Sequence, residues 1–115
     1  MELLNRDAAL EQVQGDEEFL DELYQIFYNE IPERKSSFAA AFEDGDAKRI
    51  VSLAHSLKGV SLTLGAFSCK RLAEEVELAA RGGDLVTARE KYTLLEETLD
   101  ELEQIIGRME LNDSE

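Results

Sequence analysis

Apolar residues recur through the last third of this chain at alternating steps of three and four: Leu85, Ala88, Tyr92, Leu95, Leu99, Leu102, Ile106 and Met109. That spacing draws one apolar stripe down a single long helix. Such a stripe must be covered. It restricts the fold to near-antiparallel packing in a helical bundle or to an intermolecular coiled coil. The bundle is the better reading, because the other segments also carry apolar faces that need cover. Composition agrees: Leu, Ala and Glu dominate, there is one proline and no tryptophan, and alternating β-branched runs are absent.

Five helices with short joints follow from the local signals. Asn5 caps a first short helix reaching about Gln14, and Gly15 ends it. Asp16 caps a second, which places Phe19, Leu23, Ile26, Phe27, Ile31, Phe38, Ala41 and Phe42 on one side. Pro32 falls inside it and predicts a kink or short break near Tyr28 to Ile31. Residues 43–46 form a turn, and Asp46 caps a third helix from about Ala47 to Thr63. Leu64, Gly65 and Ala66 make a corner before a fourth helix from about Phe67 to Arg81. Gly82 and Gly83 stop that helix, and Asp84 caps the last. The expected fold is all-α: one domain over residues 1–115, with its core at about 16–110. It is an antiparallel four-helix bundle, up-down-up-down, with a short extra N-terminal helix. The polar tail after Glu110 is expected to fray.

The formal charge of −14, from 26 acidic and 12 basic residues, disfavours nucleic acid and anionic membranes as partners. No run of about 18 apolar residues exists to span a membrane, and the first five residues lack the basic start of a secretory signal. Cys69 is the only cysteine, so no intrachain disulfide forms and a reducing cytoplasm is the expected setting. One histidine and one cysteine make no metal-ligand cluster, and the carboxylates lack calcium-loop spacing. Glycine-rich nucleotide loops and Gly-x-Ser-x-Gly are also missing, although Ser52 and Ser56 lie near His55. No intrinsic cofactor and no ATP-driven self-phosphorylation are expected.

The third helix holds the candidate chemistry. At about 100° per residue, Ile50, Leu53, Ala54, Leu57, Ser61 and Leu64 cluster on one side. His55, the only histidine, points about 165° from the middle of that cluster and should face water. The same outward strip carries Lys48, Val51, Ser52, Lys58, Gly59 and Leu62. A mid-helix glycine costs about 1 kcal/mol relative to alanine. Gly59 therefore either serves helix packing or leaves room for another molecule beside the histidine. Val51 and Leu62 supply an apolar docking patch. Residues 47–73 contain no acid but hold Lys48, Arg49, Lys58, Lys70 and Arg71, a local positive field in which an anion is tolerated. An imidazole with a reference pKa of about 6.5 is a nucleophile near neutral pH and can take a phosphoryl group from an acyl phosphate. Lys58, three residues on, shares its face and can neutralise the transferring oxygens.

The run His55-Ser56-Leu57-Lys58-Gly59 with the later Leu64-Gly65-Ala66 resembles the pattern of the histidine-containing phosphotransfer (HPt) domain family of two-component phosphorelays. The similarity extends to Gly15-Asp16 before a long helix, to Pro32 within it, and to Gly83-Asp84 before the last helix. The resemblance implies His55 as phospho-acceptor, Lys58 as its electrostatic helper and Gly59 as the contact residue for a receiver domain. Val51, Ser52, Leu62 and Lys48 surround that contact. It further implies a monomeric phosphocarrier rather than an enzyme. The carrier would accept a phosphoryl group from a receiver-domain aspartate, on a response regulator or hybrid histidine kinase, and pass it to another receiver, with Mg²⁺ on the partner. Some relatives carry a glutamine 22 residues after the histidine that steadies the ring; here that position is Glu77. A carboxylate there either accepts the inner ring proton and fixes the tautomer, repels a phosphate, or is a solvated surface acid. Leu62 also departs from the small residue expected at its position.

Two rivals share these features: a non-catalytic helical adaptor of the same fold, and the phosphorylated input domain of a chemotaxis-type kinase. A sensor kinase's dimerisation helix fits less well, because Ser56 rather than an acid follows His55 and Pro32 lies far upstream. Met1 at the start reads as a free-standing carrier.

Overall fold

The computed structural model describes residues 3–109 and is all-α. Helices α1 (Arg6–Gln12), α2 (Glu17–Glu43), α3 (Ala47–Thr63), α4 (Phe67–Arg81) and α5 (Leu85–Gly107) follow one another through short joints. The expected fraying tail lies outside the described residues. All four predicted caps form as side-chain bonds. Asn5 Oδ1 accepts from the Ala8 amide at 3.0 Å, Asp16 Oδ1 from Phe19 at 3.0 Å, Asp46 Oδ1 from Arg49 at 3.1 Å and Asp84 Oδ1 from Thr87 at 3.0 Å. Each satisfies an amide that a helix start leaves unpaired. α4 begins without one, at Ala66. α1 stops at Gln12, short of the expected Gln14, because Gln14 and Gly15 turn into left-handed backbone at φ 57° and 80°.

α2 packs on α3, α3 on α4, α4 on α5 and α5 back on α2. With three-residue joints, this is the up-down-up-down bundle. The 27 residues of α2, about 40 Å of helix, match the 41 Å long axis of the molecule. The α5 stripe is covered as a bundle stripe should be: Ala88, Tyr92, Leu95, Leu99, Leu102 and Ile106 are buried, with Leu85 and Met109 half-buried. α1 lies across the α3–α4 corner. There the Asn5 amide donates to the Gly65 carbonyl at 2.9 Å. Only glycine fits at 65, since its φ is 73° and a Cβ would stand 2.3 Å from the Asn5 carbonyl oxygen.

Two expectations for α2 change. No break occurs near Tyr28–Ile31, and the helix runs through Pro32 without interruption. The proline ring is exposed, while Phe27, Ile31 and Phe38 on either side are anchored in the core, so packing outweighs the one lost backbone bond. Phe19 and Ile26 were expected inside but are 46% and 52% exposed; Leu20 and Tyr24 take the interior instead. Tyr24 can be buried because its hydroxyl donates to the Leu64 carbonyl at 3.5 Å and Arg6 stacks over its ring.

Candidate functional site

The outer surface of the α3–α4 pair brings four ionisable side chains together. α3 turns Ile50, Ala54, Leu57 and Ser61 fully inward, which leaves His55 on the opposite side with its side chain 68% exposed. Ser61 is a polar residue on the buried side, and its hydroxyl is satisfied by donating to Cys69 Sγ across the α3–α4 interface at 3.1 Å. Burial pushes the Cys69 thiol up to about 11, only partly offset by that bond, so this cysteine is a packing group rather than a nucleophile.

Glu77 on α4 sits beneath the histidine. It is 4% exposed, which removes the reading of a solvated surface acid. Its Oε2 lies 3.1 Å from His55 Nδ1 and 2.7 Å from Arg81 Nη2, while its Oε1 lies 2.9 Å from Lys58 Nζ. Burial alone would raise this carboxyl. The bonds from Lys58, Arg81 and His55 outweigh it and hold the group down at about 2. An ionised carboxylate can only accept hydrogen bonds, so the facing Nδ1 carries a proton. In a neutral ring the lone pair is then on Nε2. Among the described residues nothing bonds to that outer nitrogen.

Lys58 is a quarter exposed and bound to Glu77 rather than free. The acid-free run of sequence is therefore not acid-free in space, since α4 brings one carboxylate to the ring. Two cations answer that carboxylate, and the cluster stays positive while the ring is neutral. Gly59 faces open space. A Cβ there would meet nothing within 4 Å, so helix packing does not explain the glycine. Lys48, Ser52 and Leu62 are exposed on the same strip, Leu62 at 45%, and Val51 is half-buried.

Sequence reasoning missed two features. Arg81 was read only as the end of α4; its position four residues after Glu77 was the available signal. The second is a mainly apolar groove of about 320 Å³ between α2 and α3, lined by Leu23, Ile26, Phe27, Glu30, Val60 and Thr63 among others. It reaches the histidine strip through Thr63, whose hydroxyl donates to the Gly59 carbonyl. Exposure of Ile26, at odds with a core role, opens this groove. No helix among the described residues is long and apolar enough to cross a membrane.

Comparison with known proteins agrees with the geometry. The family model described as the Hpt domain matches residues 22–105. Over 108 residues the sequence is 23% identical to the phosphorelay intermediate protein rdeA of Dictyostelium discoideum, a match spanning 94% of this chain and 42% of that protein. The chain thus corresponds to less than half the length of that relative. The crystal structure of histidine-containing phosphotransfer protein B from Pseudomonas aeruginosa superposes with a TM-score of 0.83 at 26% identity, over 92% of each chain. The HPT domain of a sensor hybrid histidine kinase from Shewanella gives 0.84 at 23% identity, again over 92% of each.

Proposed function

The chain belongs to the Hpt domain family, a family of phosphocarriers rather than kinases, and on that premise we propose that it relays phosphoryl groups between receiver domains through His55. One observation carries the reading: the exposed imidazole has its inner nitrogen engaged by Glu77, its outer nitrogen open and an ammonium one turn away. In the proposed step the Nε2 lone pair attacks the phosphorus of an aspartyl phosphate. The P–Nε2 bond forms as the P–O bond breaks, and the carboxylate oxygen of the receiver leaves with its electron pair. The Nδ1 proton stays on the ring, and Glu77 balances the positive charge that develops there. Lys58 shifts from Glu77 to the phosphoryl oxygens, a positioning and charge-stabilising role typical of phosphoryl transfer. Mg²⁺ belongs to the partner. Reversing the steps returns the group to another aspartate.

The partner is a receiver domain of a response regulator or hybrid kinase. It is seated over Lys48, Val51, Ser52, Gly59 and Leu62 and reaches the α2–α3 groove past Gly59. The bare Gly59 backbone supports this placement, since a side chain there would fill space the fold leaves open. The carrier acts as a monomer in the reducing cytoplasm, where its single cysteine stays free.

The test is transfer from a phosphorylated, Mg²⁺-loaded receiver domain. Label should appear on His55 as an acid-labile, base-stable phosphoramidate. A label that survives His55→Gln would overturn the assignment.

A further inference from the structure

The contact that anchors the site comes from neither the histidine nor the lysine. Arg81 Nη2 meets Glu77 Oε2 at 2.7 Å, the shortest polar contact in the cluster, and it comes from α4 itself, one turn along. Oε2 is the same oxygen that accepts from His55 Nδ1. Lys58 holds the other oxygen. The two cations are therefore not equivalent. Lys58 sits three residues from His55 and is the cation that the proposed transfer draws away toward the phosphoryl group. Arg81 remains. Without it, a carboxylate 4% exposed would lose its last cationic side chain when Lys58 moves and be left with only the charge developing on the ring, at a desolvation cost. Lys58 would then be held on Glu77, or Glu77 would turn off the ring.

We propose that Arg81 is a positioning residue: from within α4 it holds the Glu77 carboxylate on His55 Nδ1, which frees Lys58 for the incoming phosphoryl group. Arg81 acts through Glu77 and does not touch the reacting atoms. Its side chain is 61% exposed, so replacing it leaves the core intact. A glutamine at 77 carries no charge and has no need of it. The arginine and the carboxylate thus form one unit, and Arg81 is what makes a buried acid workable beside the ring. This inference rests on the phosphocarrier reading for its kinetic consequence, but its geometric content stands apart from it.

The test has two arms on the full chain. In the first, ¹⁵N NMR of the unphosphorylated protein above the imidazole titration reads the His55 tautomer. Wild type and Lys58→Ala should both show mainly Nδ1–H, because Arg81 alone suffices to hold Glu77. The Lys58→Ala/Arg81→Ala double variant should fall to the tautomer mixture of an unrestrained imidazole. Loss of the Nδ1–H form in Lys58→Ala alone, or its retention in the double variant, would overturn the proposal. In the second arm, single-turnover transfer from a phosphorylated receiver should show the saturating rate lowered about tenfold by Arg81→Ala, with the half-saturating receiver concentration unchanged within about twofold. Arg81→Lys should restore most of it. In a Glu77→Gln background the same removal should cost less than about twofold. An equal loss in both backgrounds would mean direct contact with phosphate or receiver, and would sink the positioning role. If wild type takes no label at all, the phosphocarrier reading fails, and the tautomer arm still decides whether Arg81 holds the carboxylate.

Discussion

Helices α3 and α5 belong to one bundle and bury similar apolar stripes, yet their outer faces are written differently. The exposed positions of α5 include Glu90, Glu96, Glu97, Asp100 and Glu101, residues that favour solubility, with Asp100 also paired to Lys35 on α2. The exposed positions of α3 are Lys48, Arg49, Ser52, His55, Ser56, Gly59 and Leu62, none of them acidic. α5 also exposes Val86 and Leu94, so Leu62 alone does not set α3 apart; the absence of any acid and the mid-helix Gly59, which packs against nothing, do. α5 shows what this chain puts on a face that serves the bundle and water. The departures on α3 mark a face that answers to a partner as well.

Mutations can break that comparison, starting with the largest effect. His55→Gln should lower receiver-dependent labelling more than about 1000-fold with unchanged helical circular dichroism; quench-flow with radiolabel reads it. Lys58→Ala should slow single-turnover transfer by about 10- to 100-fold and leave the fold intact. Gly59→Arg should weaken receiver binding by more than about tenfold, measured by calorimetry, while thermal stability rises. Its milder companion Gly59→Ala should gain about 1 kcal/mol, several degrees in Tm, because the added methyl meets nothing.

Glu77 sharpens the contrast through pH. Its folded pKa, about 2, lies below the ordinary carboxylate value of 4.5. The stability it contributes is complete above the unfolded value and is lost as pH falls through the folded one. Glu77→Gln should therefore flatten the acid arm of the Tm profile, by about 5 °C between pH 5 and pH 2. At the small end, Glu97→Ala on α5 should change stability by less than about 0.5 kcal/mol and transfer not at all. A transfer defect there as large as that of Lys58→Ala would erase the distinction between the two faces.

Much of this was legible in advance where the signal was local. The caps at Asn5, Asp16, Asp46 and Asp84 and the stripe on α5 rest on spacings of three and four within one helix. The outward direction of His55 rests on the same periodicity. α2 was read less well. Its 27 residues carry apolar groups on more than one side, and nothing local ranked Tyr24 above Phe19 for the interior. The difference came from Arg6 and the Leu64 carbonyl, which reach Tyr24 from other elements. Pro32 predicted a break by its own chemistry, and anchoring of its neighbours in the core overrode it.

By itself the order of residues determined five helices, their caps, a bundle, and one histidine turned to water beside a lysine and a glycine. All of these depend on the dihedral preferences and periodicity of a single helix. Only the tertiary structure decided that Glu77 reaches the ring, that Arg81 anchors it, that Lys58 is bound rather than free, and that Gly65 must be glycine because Asn5 presses on it. Those facts depend on the register of α4 against α3 and on where α1 lies across their corner, and side chains on two helices meet only once packing of both apolar faces has set that register.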